Sequence, residues 1–248
     1  MAPASAYRRA PAPPAPTLVM LVRHGTTPTT GQVLPGRAKG LHLADTGRAQ
    51  AEAVAVRIAE WAAPADLADA QASEGPAPRR RSRAGAPPHP RVAAVYASPL
   101  ERTRETAAPI AKSLGLKVIP ERGLVECDFG EWTGRPLKEL GKLPEWNTVQ
   151  RHPSGFRFPG GESFVGMQAR VVETLGALCA RHRGEAIVAV SHADTIKAAV
   201  ADAMGTPLDL FQRIVISPCS VTVINVGPAG PIVLAVNSTG TLKELRPS

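Results

Sequence analysis

The chain has 248 residues, 44% of them hydrophobic, and carries 29 Lys and Arg against 21 Asp and Glu for a formal net charge of +8. That length fits one α/β domain with a substantial core, and its three scattered cysteines argue against a disulfide framework and for a reducing, cytoplasmic compartment. No apolar run approaches the roughly 18 residues of a membrane span, and the run after Arg8 and Arg9 is too short for a signal-peptide core, so no membrane partner is expected.

Residues 1–16 are rich in Ala and Pro and read as a flexible tail. A strand is predicted over 17–22, ending in Arg23-His24-Gly25. Near-continuous apolar runs mark buried parallel strands, and in open α/β sheets ligands bind beyond the carboxyl ends of the strands. Arg23 and His24 therefore sit where chemistry is expected. A neutral imidazole, with an ordinary pKa of about 6.5, is a competent nucleophile near pH 7, and a neighbouring guanidinium can grip a phosphate through two parallel N–H bonds. The pair points to phosphoryl transfer through a phosphohistidine.

A helix follows over 46–62, with Ala49, Ala53, Val54, Ile58 and Trp61 on one face. Residues 64–90 form a Pro-, Ala- and Arg-rich stretch that reads as a flexible insertion. Its tract Arg79-Arg80-Arg81-Ser82-Arg83 has no interleaved aromatics to stack bases, so it reads as a solvated run and no nucleic-acid partner is expected.

The strand at 92–97 feeds a helix at 98–114, with Ser98 at the N-cap, Pro99 at the first helical position, Glu101 completing a capping box and Arg102 in the first turn. There the arginine adds to a dipole end that already favours an anion. A strand at 117–119 leads to an irregular segment, 121–162, with Glu126, Asp128 and Glu131 close together. Its part 131–162 is expected to roof the pocket, and Arg135, Lys138, Arg151, His152 and Arg157 there offer either a second anion site or a surface patch. A helix at 163–182 precedes the strand at 186–191, which joins Ser191-His192-Ala193 and a helix at 193–204 with apolar Ile196, Ala199, Val200 and Ala203. A short helix at 207–212 and two strands, 219–226 and 231–237, joined by Gly227-Pro228-Ala229-Gly230, close the pattern.

Strands alternating with helices imply a three-layer α/β fold: a mainly parallel central sheet, helices on both faces and an antiparallel edge. Residues 17–240 read as a single domain without internal repeat, followed by a C-terminal tail at 241–248. Three strand-to-turn joins then bring two His and two Arg toward one anion site.

Other phosphoryl-transfer chemistries lack their residues. None of Cys127, Cys179 and Cys219 is followed by Arg at the six-residue offset of a cysteine-phosphatase loop. Gly-Lys-Ser/Thr loops, Cys-x-x-Cys and His-Glu-x-x-His are absent, so neither a cofactor nor a metal is expected.

Taken in order, Arg23-His24-Gly25, Leu43 to Ala51, Ser98 to Ala107, Glu126 to Gly134, Pro159 to Glu162 and Val190-Ser191-His192 resemble the motifs of the histidine phosphatase superfamily, the phosphoglycerate mutase-like proteins. The likeness spans about residues 17–240 and is nearest to an actinobacterial branch of phosphomutase- and phosphatase-like proteins. It implies a phosphoglycerate mutase-like fold and a small-molecule phosphate ester as substrate. It also implies that His24 is the nucleophile, that Arg23, Arg102 and His192 complete the phosphate pocket, and that Glu126 is the acid. Thr30 and Ala193 join Arg23, His24, Arg102 and His192 as the substrate-binding set. Many members carry Asn where this chain has Thr30, whose hydroxyl reaches less far.

The chemistry agrees with these roles. An alkoxide leaves poorly without a proton from a positioned carboxylic acid, while cationic donors supply charge that Mg²⁺ supplies elsewhere. On residues alone, Asp128 and Glu131 compete with Glu126 for the acid role. Three functions are expected in decreasing order: a phosphomonoesterase, a phosphoglycerate-type mutase, and a non-catalytic phospho-ligand binding module. The mutase reading is weakened because the family's mutases continue from the acidic Glu with Arg-His-Tyr-Gly, where this chain has Cys127, Asp128, Phe129 and Gly130. The binding module is weakened because all five catalytic positions are filled.

Overall fold

A computed structural model describes residues 14–63 and 90–242. The expected tails and the insertion at 64–90 fall almost wholly outside these residues. The described elements are β1 (Thr17–Arg23), α1 (Asp45–Ala62), β2 (Val92–Ala97), α2 (Glu101–Ser113), β3 (Val118–Pro120), α3 (Leu137–Leu140), α4 (Pro144–Arg151), α5 (Phe164–Arg181), β4 (Ala186–Ser191), α6 (Ala193–Ala203), β5 (Val221–Gly227) and β6 (Gly230–Ser238), with short 3₁₀ turns between them.

The six strands form one sheet in the order β3-β2-β4-β1-β5-β6. β1 to β4 run parallel, while β5 pairs antiparallel with β1 and β6 antiparallel with β5. This is the mainly parallel sheet with an antiparallel edge expected from the alternation of elements. Side chains alternate across a strand, and β1 shows the consequence. Leu18, Met20 and Val22 enter one core with Val54, Ile58 and Trp61 of α1 and Ala107 and Ile110 of α2. Val19 and Leu21 enter the other core, with Met167, Val171 and Leu178 of α5 and Ile196, Ala199 and Val200 of α6. A sheet buried on both faces explains why its strands read as unbroken apolar runs. No helix among the described residues is long and apolar enough to cross a membrane.

Three local expectations differ from the structure. The buried face of α1 runs through Gly47, Ala51, Val54, Ala55, Ile58 and Trp61, and Ala49 and Ala53 are exposed, because the helix docks by its glycine. The helix α2 starts at Glu101 with Leu100 as its cap and no side-chain capping bond, which frees the Ser98 hydroxyl for another partner. Within the segment expected to be irregular, Pro144 sits at the start of α4, where its missing N–H costs nothing.

Gly47 fixes how α1 meets the turn after β1. A Cβ on Gly47 would lie 2.0 Å from the Thr26 carbonyl oxygen, and one on Gly25 would lie 2.5 Å from that of Gly47. Gln50 accepts from Thr26 N–H at 2.9 Å and completes the seat. Gly47→Ala must push the helix off the turn, at a cost of about 1–3 kcal/mol. The midpoint of a denaturant titration should fall accordingly, and the turn that carries His24 should be displaced with the helix.

Candidate active site

Strands β2, β4 and β1 lie side by side, so the carboxyl ends carrying Ser98, His192 and His24 open onto one place. The backbone ties them together: His24 N–H donates to Ser191 O at 3.0 Å, and Ser98 N–H donates to Val190 O at 3.0 Å. Arg102 reaches the same place from the first turn of α2, and Glu126 arrives on the loop after β3.

His24 is buried, and its Nδ1 pairs with the Gly25 carbonyl at 2.8 Å. A carbonyl only accepts, so Nδ1 carries the proton and Nε2 is left with a free lone pair. Burial, then the Arg102 charge, drive the imidazole pKa down to about 3, so the ring is neutral at physiological pH. Gly25 N–H donates to the Thr106 hydroxyl at 3.0 Å, which anchors the turn to α2 one helical turn beyond Arg102.

Arg102 is completely buried. One terminal nitrogen donates to Gly36 O at 2.7 Å and lies 3.3 Å from His192 Nδ1. Arg102 Nε and Nη1, and Arg23 Nε, are buried without a hydrogen-bond partner among the described residues. Arg23 is steadied by Nη1 donating to Ile216 O at 2.6 Å. Unsatisfied guanidinium nitrogens are costly to bury, and converging ones suit a tetrahedral oxyanion.

His192 is also buried, with its ring centroid 5.2 Å from that of His24. A guanidinium can only donate, so Nδ1 accepts from Arg102 and Nε2–H donates to Ser98 Oγ at 2.9 Å. Desolvation, then the Arg102 charge, hold His192 well below its ordinary pKa. Its Nδ1 lies 4.0 Å from Glu126 Oε2. Burial and then the nearby Asp194 raise the Glu126 carboxyl to about 7, against the opposing bond from Cys127 N–H at 3.0 Å and the charges of Arg102 and Arg23. Thr195 Oγ1 lies 3.3 Å from Glu126 Oε1, the oxygen that accepts from Cys127 N–H.

His24, Arg23, Arg102, His192 and Glu126 therefore converge, and Ala193 opens α6 with its N–H among those that lack an intrahelical acceptor. Thr30 is held within its turn: its hydroxyl accepts from Thr27 N–H at 2.8 Å and pairs with Thr27 Oγ1 at 3.0 Å. Of the competing carboxylates, Asp128 accepts from Gly130 N–H at 3.0 Å and pairs with Arg37 at 3.4 Å, and its side chain is part-exposed where that of Glu126 is buried. Much of the expected roof is tied to itself or to the turn at Leu208–Arg213. His152 pairs with Asp209 at 3.0 Å, Arg157 donates to Gly161 O at 3.3 Å, and Trp132 is stacked by Trp146, tilted against Phe156 and met edge-on by Phe158. Sequence reading missed Ser98 as the partner of His192, Thr106 as the anchor of Gly25, and the Gly36 carbonyl, none of which has a periodic signature. Among the described residues no group of three or more His, Cys, Asp or Glu is arranged to hold a metal ion, and the three cysteines are free and buried.

The model of the histidine phosphatase superfamily (branch 1) matches residues 19–70 and 83–239. The chain belongs to that superfamily. It is 33% identical over 152 residues, 60% of this chain and 72% of the other, to Phosphoserine phosphatase 1 of Hydrogenobacter thermophilus. It is 31% identical over 153 residues, 61% of this chain, to the bifunctional protein Rv2228c of Mycobacterium tuberculosis, of which it spans 42%. The solved mycobacterial glucosyl-3-phosphoglycerate phosphatase Rv2419c superposes with a TM-score of 0.70 at 20% identity, covering 90% of this chain and 99% of that one. The fold is thus that of the phosphoglycerate mutase-like histidine phosphatases, with mycobacterial proteins among its relatives.

Proposed function

We propose that this chain is a metal-independent phosphatase that hydrolyses a small phosphomonoester through a phosphohistidine on His24. The observation that carries the reading is the neutral, tautomer-fixed imidazole of His24 beside buried guanidinium nitrogens of Arg102 and Arg23 that have no acceptor among the described residues. Nε2 of His24 attacks phosphorus, the P–O ester bond breaks, and its electron pair stays on the leaving oxygen, which takes the Glu126 proton. The Glu126 carboxylate then removes a proton from water, the water oxygen attacks phosphorus, and the P–N bond breaks to release phosphate and restore His24. A carboxyl near pH 7 can serve both directions. Arg23 and Arg102 hold the equatorial oxygens, supplying the charge stabilisation that metals supply in other phosphoryl-transfer sites. His192 fixes Arg102 through Nδ1, and the Ala193 N–H and Thr30 hydroxyl offer further donors to the substrate.

The full chain, given a panel of phosphate esters that includes phosphoserine and phosphoglycerates, should release inorganic phosphate without isomerised product. Accumulation of an isomer would make it a mutase. Binding of phosphate esters with neither product would leave a binding module.

A further inference from the structure

The main chain that carries Glu126 is held by two arginines that share one carboxylate. Arg37 Nε donates to Glu126 O at 2.9 Å. Arg170, on α5, donates from Nη1 to Gly123 O at 2.7 Å and Val125 O at 2.9 Å. Both guanidiniums then meet Glu162. Arg170 engages it twice, Nε to Oε1 at 3.0 Å and Nη2 to Oε2 at 2.9 Å, and Arg37 Nη2 reaches Oε2 at 3.0 Å. Glu162 N–H donates to Asp128 O at 2.8 Å, so the carboxylate is itself fixed against the loop it braces. The residue before Arg37 supplies the carbonyl that accepts from Arg102. Residues 36 and 37 thus strap the phosphate-gripping arginine to the backbone of Glu126.

We propose that Glu162 is a positioning residue for proton transfer, holding Arg37 and Arg170 so that the Gly123–Glu126 main chain presents the Glu126 carboxyl to the ester oxygen. The inference rests on the reading of Glu126 as proton donor given above. A bidentate arginine pair is geometrically demanding, and a lysine or a neutral amide cannot reproduce it. A donor must lie within about 2.6–3.2 Å of the atom it protonates, and displacement of about 1 Å can cost on the order of 10²-fold. Because Glu162 acts through Glu126, its loss should matter only where protonation of the leaving group matters.

The test measures first-turnover phosphoenzyme formation by the full chain with an alkyl phosphate and with p-nitrophenyl phosphate. Glu162→Gln should slow the alkyl ester by roughly 10-fold or more and the p-nitrophenyl ester by less than about 3-fold. In a Glu126→Gln background it should add almost no further loss on the alkyl ester, since the group it positions is gone. Equal losses on the two esters, or losses that add to those of Glu126→Gln, would make Glu162 a structural brace and overturn the proposal. If Glu126→Gln itself showed no contrast between esters, the proton-donor reading would fall, and the inference with it, by a pattern distinct from the first. Should Glu162→Gln not fold, Arg37→Lys keeps the charge but cannot bridge its three acceptors, and must show the same contrast for the proposal to stand.

Discussion

His24→Ala is expected to lower phosphate release by roughly 10⁴-fold or more on every ester while leaving the affinity for inorganic phosphate within a few-fold. The asymmetry follows from the geometry. The substitution removes no charge, because the imidazole is neutral, and the anion is gripped by Arg23 and Arg102, which are anchored by Ile216 O and Gly36 O rather than by His24. Because burial and Arg102 drive His24 down to about 3, the nucleophile stays unprotonated throughout the physiological range. Activity should therefore show no acid limb near pH 6.5 from this residue. Calorimetric phosphate binding beside steady-state turnover measures both halves, and a variant that retained turnover would remove His24 from the chemistry.

Glu126→Gln is expected to slow first-turnover cleavage of an alkyl phosphate by roughly 10²-fold and that of p-nitrophenyl phosphate far less, because a basic leaving oxygen needs the proton and a weakly basic one does not. Asp128→Asn and Glu131→Gln should lack the contrast. The pH dependence has a definite sign. A raised carboxyl is active as an acid while protonated, so the wild-type rate on the alkyl ester should fall as pH rises through about 7. After burial, Asp194 is the largest cause raising that carboxyl, so Asp194→Asn should move the falling limb to lower pH. A limb that stayed in place would show that burial alone sets it.

The parts of this architecture visible in the sequence are those where local pattern and global burial agree. Strands β1, β2 and β4 are buried on both faces, so their apolar runs end sharply, and the residues at or just beyond their ends, Arg23, His24, Ser98 and His192, could be named from the text of the chain. Arg102 followed from its place in the first turn of a helix. The family likeness, rather than spacing, singled out Glu126 from Asp128, whose bonds to Gly130 and Arg37 need coordinates to see. Ser98 illustrates the opposite case. Its local signature is a helix cap, yet the fully buried hydroxyl serves His192, 94 residues away, because a buried imidazole N–H left without an acceptor would cost more than a missing capping bond. The packing of α1 on Gly47 was likewise hidden, since a glycine carries no apolar signal in a helical face. Arg37, Glu162 and Arg170 are brought together from three separate segments, which no sequence period marks.

Rapid quench of the wild-type chain with ³²P-labelled ester, under conditions that spare acid-labile bonds, tests the central claim most directly. One phosphoryl group per active chain, stable to alkali, labile to acid and mapped to the peptide containing His24, is the predicted result. Label on another residue, or steady turnover with no trapped phosphoenzyme at any time or pH, would contradict it.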